Sequence, residues 1–108
     1  MTRHLRLHRG VPADVEAIAA YLFTRHEGAA LRFPRAVMET AEALLETPGV
    51  RRIWRSADLR IDGVRSVVVR TFPNHLWFHR QRADAIEVML VIYGGREWQQ
   101  TLGERSHD

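Results

Sequence analysis

The stretch from Val64 to Tyr93 constrains the fold more than any other, because it holds three β-rich runs parted by turn signals. Val64 to Phe72 is the first run, closed by Pro73-Asn74; residues 75–82 are the second, closed by Ala83-Asp84. Ala85 to Tyr93 is the strongest, and alternation puts Ile86, Val88, Leu90 and Ile92 on one face and Glu87, Met89, Val91 and Tyr93 on the other. Connections this short join antiparallel neighbours, so the pattern predicts a three-strand meander. Such a sheet needs cover for an apolar face.

The first half of the chain supplies that cover. After a weakly patterned strand over residues 3–9, broken by Gly10, Pro12 opens an amphipathic helix over 12–26 with Val15, Ile18, Ala19 and Leu22 at helical spacing. Gly28 is expected to end it. A second helix starts near Ala30 or Leu31, which keeps Pro34 in its first turn, and carries Phe33, Val37, Ala41 and Leu44 on one stripe up to Thr47-Pro48-Gly49. The two form an antiparallel hairpin packed on one face of a mainly antiparallel sheet, an α+β architecture in the order β-α-α-β-β-β. Gly94-Gly95 hinge into Arg96 to Leu102, one or two helical turns, and Gly103 to Asp108 read as a frayed end. A chain of 108 residues suits one domain, residues 1–108.

Composition excludes several classes of chemistry. With no cysteine there is no disulfide, thiolate metal site or cysteine nucleophile, and no cofactor motif is present. No long apolar run or signal-peptide pattern occurs, so the expectation is a cytoplasmic protein without membrane contact. All sixteen cations are arginine, which favours bidentate contact with carboxylate or phosphate. Charge is segregated: residues 1–10 carry +3, residues 11–50 carry −3, and residues 51–108 hold ten arginines against seven acids. His4 with His8 and His75 with His79 share strand faces, but their spacing fits no zinc site and no metal is expected.

The order of elements and several segments resemble the RelE/ParE toxin superfamily. Asp14-Val15-x-x-Ile18-Ala19-x-Tyr21-Leu22 is similar to the family's first helix, and Phe33-x-x-Ala36-Val37-x-x-Thr40-x-x-x-Leu44 to its second. Gly63-Val64-Arg65 resembles the glycine-x-arginine that leads into the next strand. Asn74-His75-Leu76-Trp77-Phe78-His79-Arg80 resembles "NHLIFYR", and Ile86-Glu87-Val88 with Val91-Ile92-Tyr93-Gly94 resembles "IEV..VLHG". The likeness covers roughly residues 3–98. It departs at Leu90, where many members have arginine, at His79, which replaces a tyrosine, and at Pro34.

The resemblance implies the toxin of a type II toxin–antitoxin system, neutralised by a ParD-like antitoxin in a hetero-oligomer. ParE-like members poison DNA gyrase, whereas RelE-like members cut messenger RNA with basic residues and usually a tyrosine. Here the tyrosine position, six residues after Arg96, is Leu102, and lysine is absent. The expectation is therefore a gyrase inhibitor of the ParE type, not an enzyme, with no direct DNA binding by the toxin alone. The alternatives are a ribosome-dependent endoribonuclease, using Arg70, His79, Arg80 and Arg96, or a non-toxic member of the fold. Candidate antitoxin contacts are apolar Ala19, Leu22, Val37 and Leu44 and the cations Arg65, Arg70 and Arg80. Arg96 and Trp98 are the candidate target contacts, since both residue types dominate binding hot spots. Trp77 is expected to pack inside the domain.

Overall fold

The computed structural model describes residues 4–47 and 52–106. The elements are β1 (His4–Leu7), α1 (Val11–Phe23), α2 (Glu27–Glu46), β2 (Arg52–Ile53), β3 (Arg65–Val69), β4 (Phe72–Gln81), β5 (Ala85–Tyr93) and α3 (Gln99–Arg105). They build one five-stranded sheet in the order β1-β5-β4-β3-β2. β1 runs parallel to β5 and the other pairs are antiparallel. α1 and α2 cover one face, where Val11, Phe33, Ala36, Val37, Ala41 and Leu44 pack on Val69, Trp77, Ile86, Val88 and Val91. Burying an aliphatic or phenyl side chain here stabilises the fold by roughly 1.5–3 kcal/mol each. The other face is smaller: Ile61, Val64, Phe78, Met89, Leu90 and Leu102 form a second core flanked by Trp54 and Trp98.

Several local expectations change. α2 begins at Glu27, three residues before the expected start, because the His26 ring accepts a hydrogen bond from Ala29 N at 3.1 Å and caps the helix. Gly28 therefore lies in the first turn of α2, α1 ends at Phe23, and Pro34 sits inside α2, where packing of Phe33 and Val37 outweighs the forgone backbone bond. β3 and β4 turn at Arg70-Thr71, not at Pro73-Asn74, with Thr71 at φ 65°. Pro73 and Asn74 instead fall within β4 at a register shift opposite Val68 and Val69, the kind of irregularity in which a strand tolerates proline. β2 has only two residues, too few to show any period, and was not foreseen. Gly63, just before β3, has φ 86°, a conformation that favours glycine.

The alternation expected along β5 fails halfway. Phe78 pairs with Leu90 but His79 pairs with Val88, so Met89 is an extra residue in the strand. This bulge turns the following side chains over. Ile86 and Val88 face the helices together with Val91, while Leu90 and Ile92 face α3. Gly103 to Arg105, read as frayed, complete α3 with Leu102 and Gly103 buried; residues 107 and 108 lie outside the described set.

Candidate functional site

Two surfaces emerge on opposite faces of the sheet. The first is an open groove of about 630 Å³ between α1 and α2, lined among others by Pro12, Val15, Ala19, Phe23, Leu31 and Pro34. Pro12, Val15, Ala19 and Phe23 recur every three or four residues and so form one ridge of α1. Leu31 is 72% exposed and Phe23 56%. Glu16 is the one ionisable residue of the lining. Of the expected antitoxin contacts, Ala19 lies in this groove and Leu22 packs inward against the core. Val37 and Leu44 are buried beneath α2 and are not available to a partner: the apolar stripe of that helix is consumed by the sheet. Sequence reasoning missed Phe23 and Leu31, whose signal was that they are large apolar residues lying off the apolar stripes.

The second surface surrounds Trp98. Its ring stacks on Phe78 at 4.4 Å between centroids and meets Trp54 edge-on at 4.9 Å. Trp54 donates from Nε1 to Ser66 Oγ at 2.7 Å, and the Arg52 guanidinium lies 4.0 Å above the Trp54 ring. Trp98 thus closes the second core and is not presented as a detached contact element, whereas Arg96 is exposed. The loop before β3 is fixed to this face. Arg80 donates to the carbonyl oxygens of Arg60 and Asp62, and Ser106 Oγ donates to Arg60 O at 2.8 Å. Burial holds the Arg80 guanidinium below its ordinary pKa, with the charge of Arg82 acting in the same direction. Arg60 itself grips Asp58 with bonds of 2.8 and 3.0 Å, and that hydrogen-bonded pairing holds its pKa above the ordinary value.

The remaining basic candidates do not converge. His79 and Arg80 are adjacent on β4 and point to opposite faces, His79 towards the helices opposite Val88 and fully buried. Arg65 pairs with His79 across the sheet, while Arg70 sits beyond the other end of β3, with its guanidinium 3.8 Å from Glu39. Trp77 is buried in the first core, as expected. His8 accepts from Gly10 N through Nδ1 at 3.0 Å, and no group of three or more His, Asp or Glu side chains that could hold a metal occurs among the described residues. No described helix is long and apolar enough to cross a membrane.

A polar cluster that sequence reasoning missed joins the two faces. β1 pairs with β5 only as far as Val88, which leaves the outer edge of the bulge open. Asp14 on α1 and Arg105 on α3 close it. Arg105 binds both Asp14 oxygens at 2.6 and 2.8 Å and donates to Met89 O at 3.0 Å, while Asp14 Oδ2 accepts from Val91 N at 3.1 Å. The pair stands in for the missing strand. Gly10 is needed beside it, since a Cβ there would come within 2.7 Å of the Arg105 guanidinium carbon.

The architecture defines the chain as a RelE/ParE-like fold. It is similar to a chain of the solved structure described as "Chromosomal ParDE TA system from P. aeruginosa", with a TM-score of 0.69 and 17% identity, over 85% of this chain and 96% of that one. No family model matches the sequence, and no curated protein does.

Proposed function

We propose that the protein is the toxin of a type II toxin–antitoxin system, that a ParD-like antitoxin holds it at the groove between α1 and α2, and that it inhibits DNA gyrase by binding and not by catalysis. The observation that carries this reading is the likeness in fold, over nearly the full length of its chain, to a member of a ParDE system. The groove supports it further. An open apolar channel between two helices, flanked by exposed Phe23 and Leu31, suits the apolar side of an amphipathic helix that orders on binding. The gyrase assignment rests on the sequence likeness of residues 74–80 and 86–94 to ParE-type segments and on Leu102 in place of a tyrosine.

The test is induction of the protein alone and together with the product of a neighbouring short reading frame. The expected result is growth arrest with DNA damage and filamentation in the first case and normal growth in the second, with the two products co-eluting on size exclusion. Immediate arrest of translation, or growth unaffected by the protein alone, contradicts the reading.

A further inference from the structure

α1 has almost no polar side to offer to water. From Val11 to Phe23 it holds two carboxylates, Asp14 and Glu16, and no cation. Arg105 binds Asp14, so Glu16 is the remaining charge of the helix. The rest of its exposed surface is Pro12, Ala13, Ala17, Ala20, Tyr21 and Phe23. A helix that is apolar all round belongs in an interior. Here Val11, Val15, Ile18 and Leu22 pack on the first core, and the other side stays open. Glu16 stands in that open side, one turn from Pro12 and one from Ala20, as the one ionisable residue lining the groove. No described residue forms an ion pair with it. The cations of the hairpin are directed elsewhere. Arg25 lies over the Tyr21 ring at 5.3 Å and Arg35 Nε is 3.8 Å from Glu39. Arg32 reaches back to Gly28, where a Cβ would come within 3.1 Å of its Nη1, at the Phe23 end of the groove and two turns of α1 from Glu16.

We propose that Glu16 is the specificity-determining residue of this groove: the antitoxin helix that fills it carries an arginine or lysine that pairs with Glu16, among apolar side chains that meet Phe23 and Leu31. The proposal rests on the antitoxin reading above and adds the charge that the occupant must bring. Desolvation is the reason. A helix laid along α1 removes water from Glu16 together with that of the apolar residues around it, and a carboxylate left dry and unpaired is strongly unfavourable. A cation at that level of the helix supplies the missing partner. A wholly apolar or an acidic helix does not, and is rejected. A second copy of this chain is a poorer occupant, since the same groove apposed to itself offers no cation, only another Glu16.

The experiment measures the affinity of the full chain for the product of the neighbouring short reading frame, by titration calorimetry at low and high salt. Glu16→Gln should bind about tenfold more weakly than wild type, and Glu16→Arg about a hundredfold or more. Glu104→Arg makes the same change of charge on an exposed position of α3 and should bind as wild type does. Wild-type affinity should fall more steeply with salt than that of Glu16→Gln. Changing the antitoxin's lysines and arginines to glutamate one at a time should find one change that restores binding to Glu16→Arg. Glu16 is exposed, so its variants should melt within about 3 °C of wild type. Undiminished affinity of Glu16→Arg alongside loss of binding in Leu31→Glu keeps the groove as the antitoxin site and overturns the charge pairing, as does the failure of every antitoxin reversal to rescue. Undiminished affinity of both variants moves the antitoxin elsewhere, and the reading above falls together with the proposal. If the free chain is a dimer that Leu31→Glu breaks while antitoxin binding is unchanged, the groove belongs to a second copy and the proposal falls.

Discussion

Asp14 and Arg105 are separated by most of the chain yet form its best-buried ion pair among the described residues, with side chains only 13% and 17% exposed. Each also serves the bulge in β5, so removing one partner strands the other charge and a backbone group together. Asp14→Ala or Arg105→Ala should cost about 3–5 kcal/mol, read as a lower urea midpoint. A change within experimental error would show that the pair is ornamental. Asp14 could be quoted from the sequence as part of a helix pattern, but nothing in the local period of either segment could pair it with Arg105. A second residue prediction concerns His75, whose ring lies between Phe33 and Tyr93 with no hydrogen bond to Nδ1. Burial holds its pKa below the ordinary histidine value. Both states are neutral at high pH; as pH falls below about 6.5 the unfolded chain takes up a proton that the folded one refuses, and stability is lost. His75→Phe should therefore flatten the fall in stability that sets in below about pH 6.5. An unchanged slope would assign that fall to other groups.

At the scale of elements, α3 is the piece whose role changes most. The two glycines before it suggested a free contact arm, but Trp98 stacks on Phe78, Leu102 is fully buried and Arg105 ties the helix to α1. Trp98→Ala should cost about 2–4 kcal/mol in thermal or chemical denaturation, and truncation after Gly95 should prevent stable folding. A Trp98→Ala protein with the wild-type melting temperature would restore the contact-arm view. The helix hairpin, the meander and the position of β5 were legible because each buries a periodic face against another. The bulge at Met89, the two-residue β2 and the turn at Arg70-Thr71 were not, since each depends on pairing with a distant strand. The same limit explains the antitoxin residues: periodicity identifies an apolar stripe, and Val37 and Leu44 belong to the stripe that the sheet has already taken.

Across the whole molecule, the α1–α2 groove and the α3-covered core lie on opposite faces of one sheet and differ in chemistry. The α1–α2 groove is apolar with Glu16 in its lining, whereas the α3 side carries the aromatic cluster of Trp54, Phe78 and Trp98 with Arg52 over Trp54. Substitution in one should therefore spare the other. Leu31→Glu, at a site 72% exposed, should leave thermal stability and toxicity intact but weaken antitoxin co-purification by about tenfold or more. Undisturbed co-purification would move the antitoxin to another surface. The most direct test of the central claim is DNA supercoiling by purified gyrase with increasing amounts of the isolated protein, with and without its antitoxin. The account predicts dose-dependent loss of supercoiling with accumulation of cleaved DNA, relieved by stoichiometric antitoxin; full supercoiling at every dose of a folded, growth-arresting protein contradicts it.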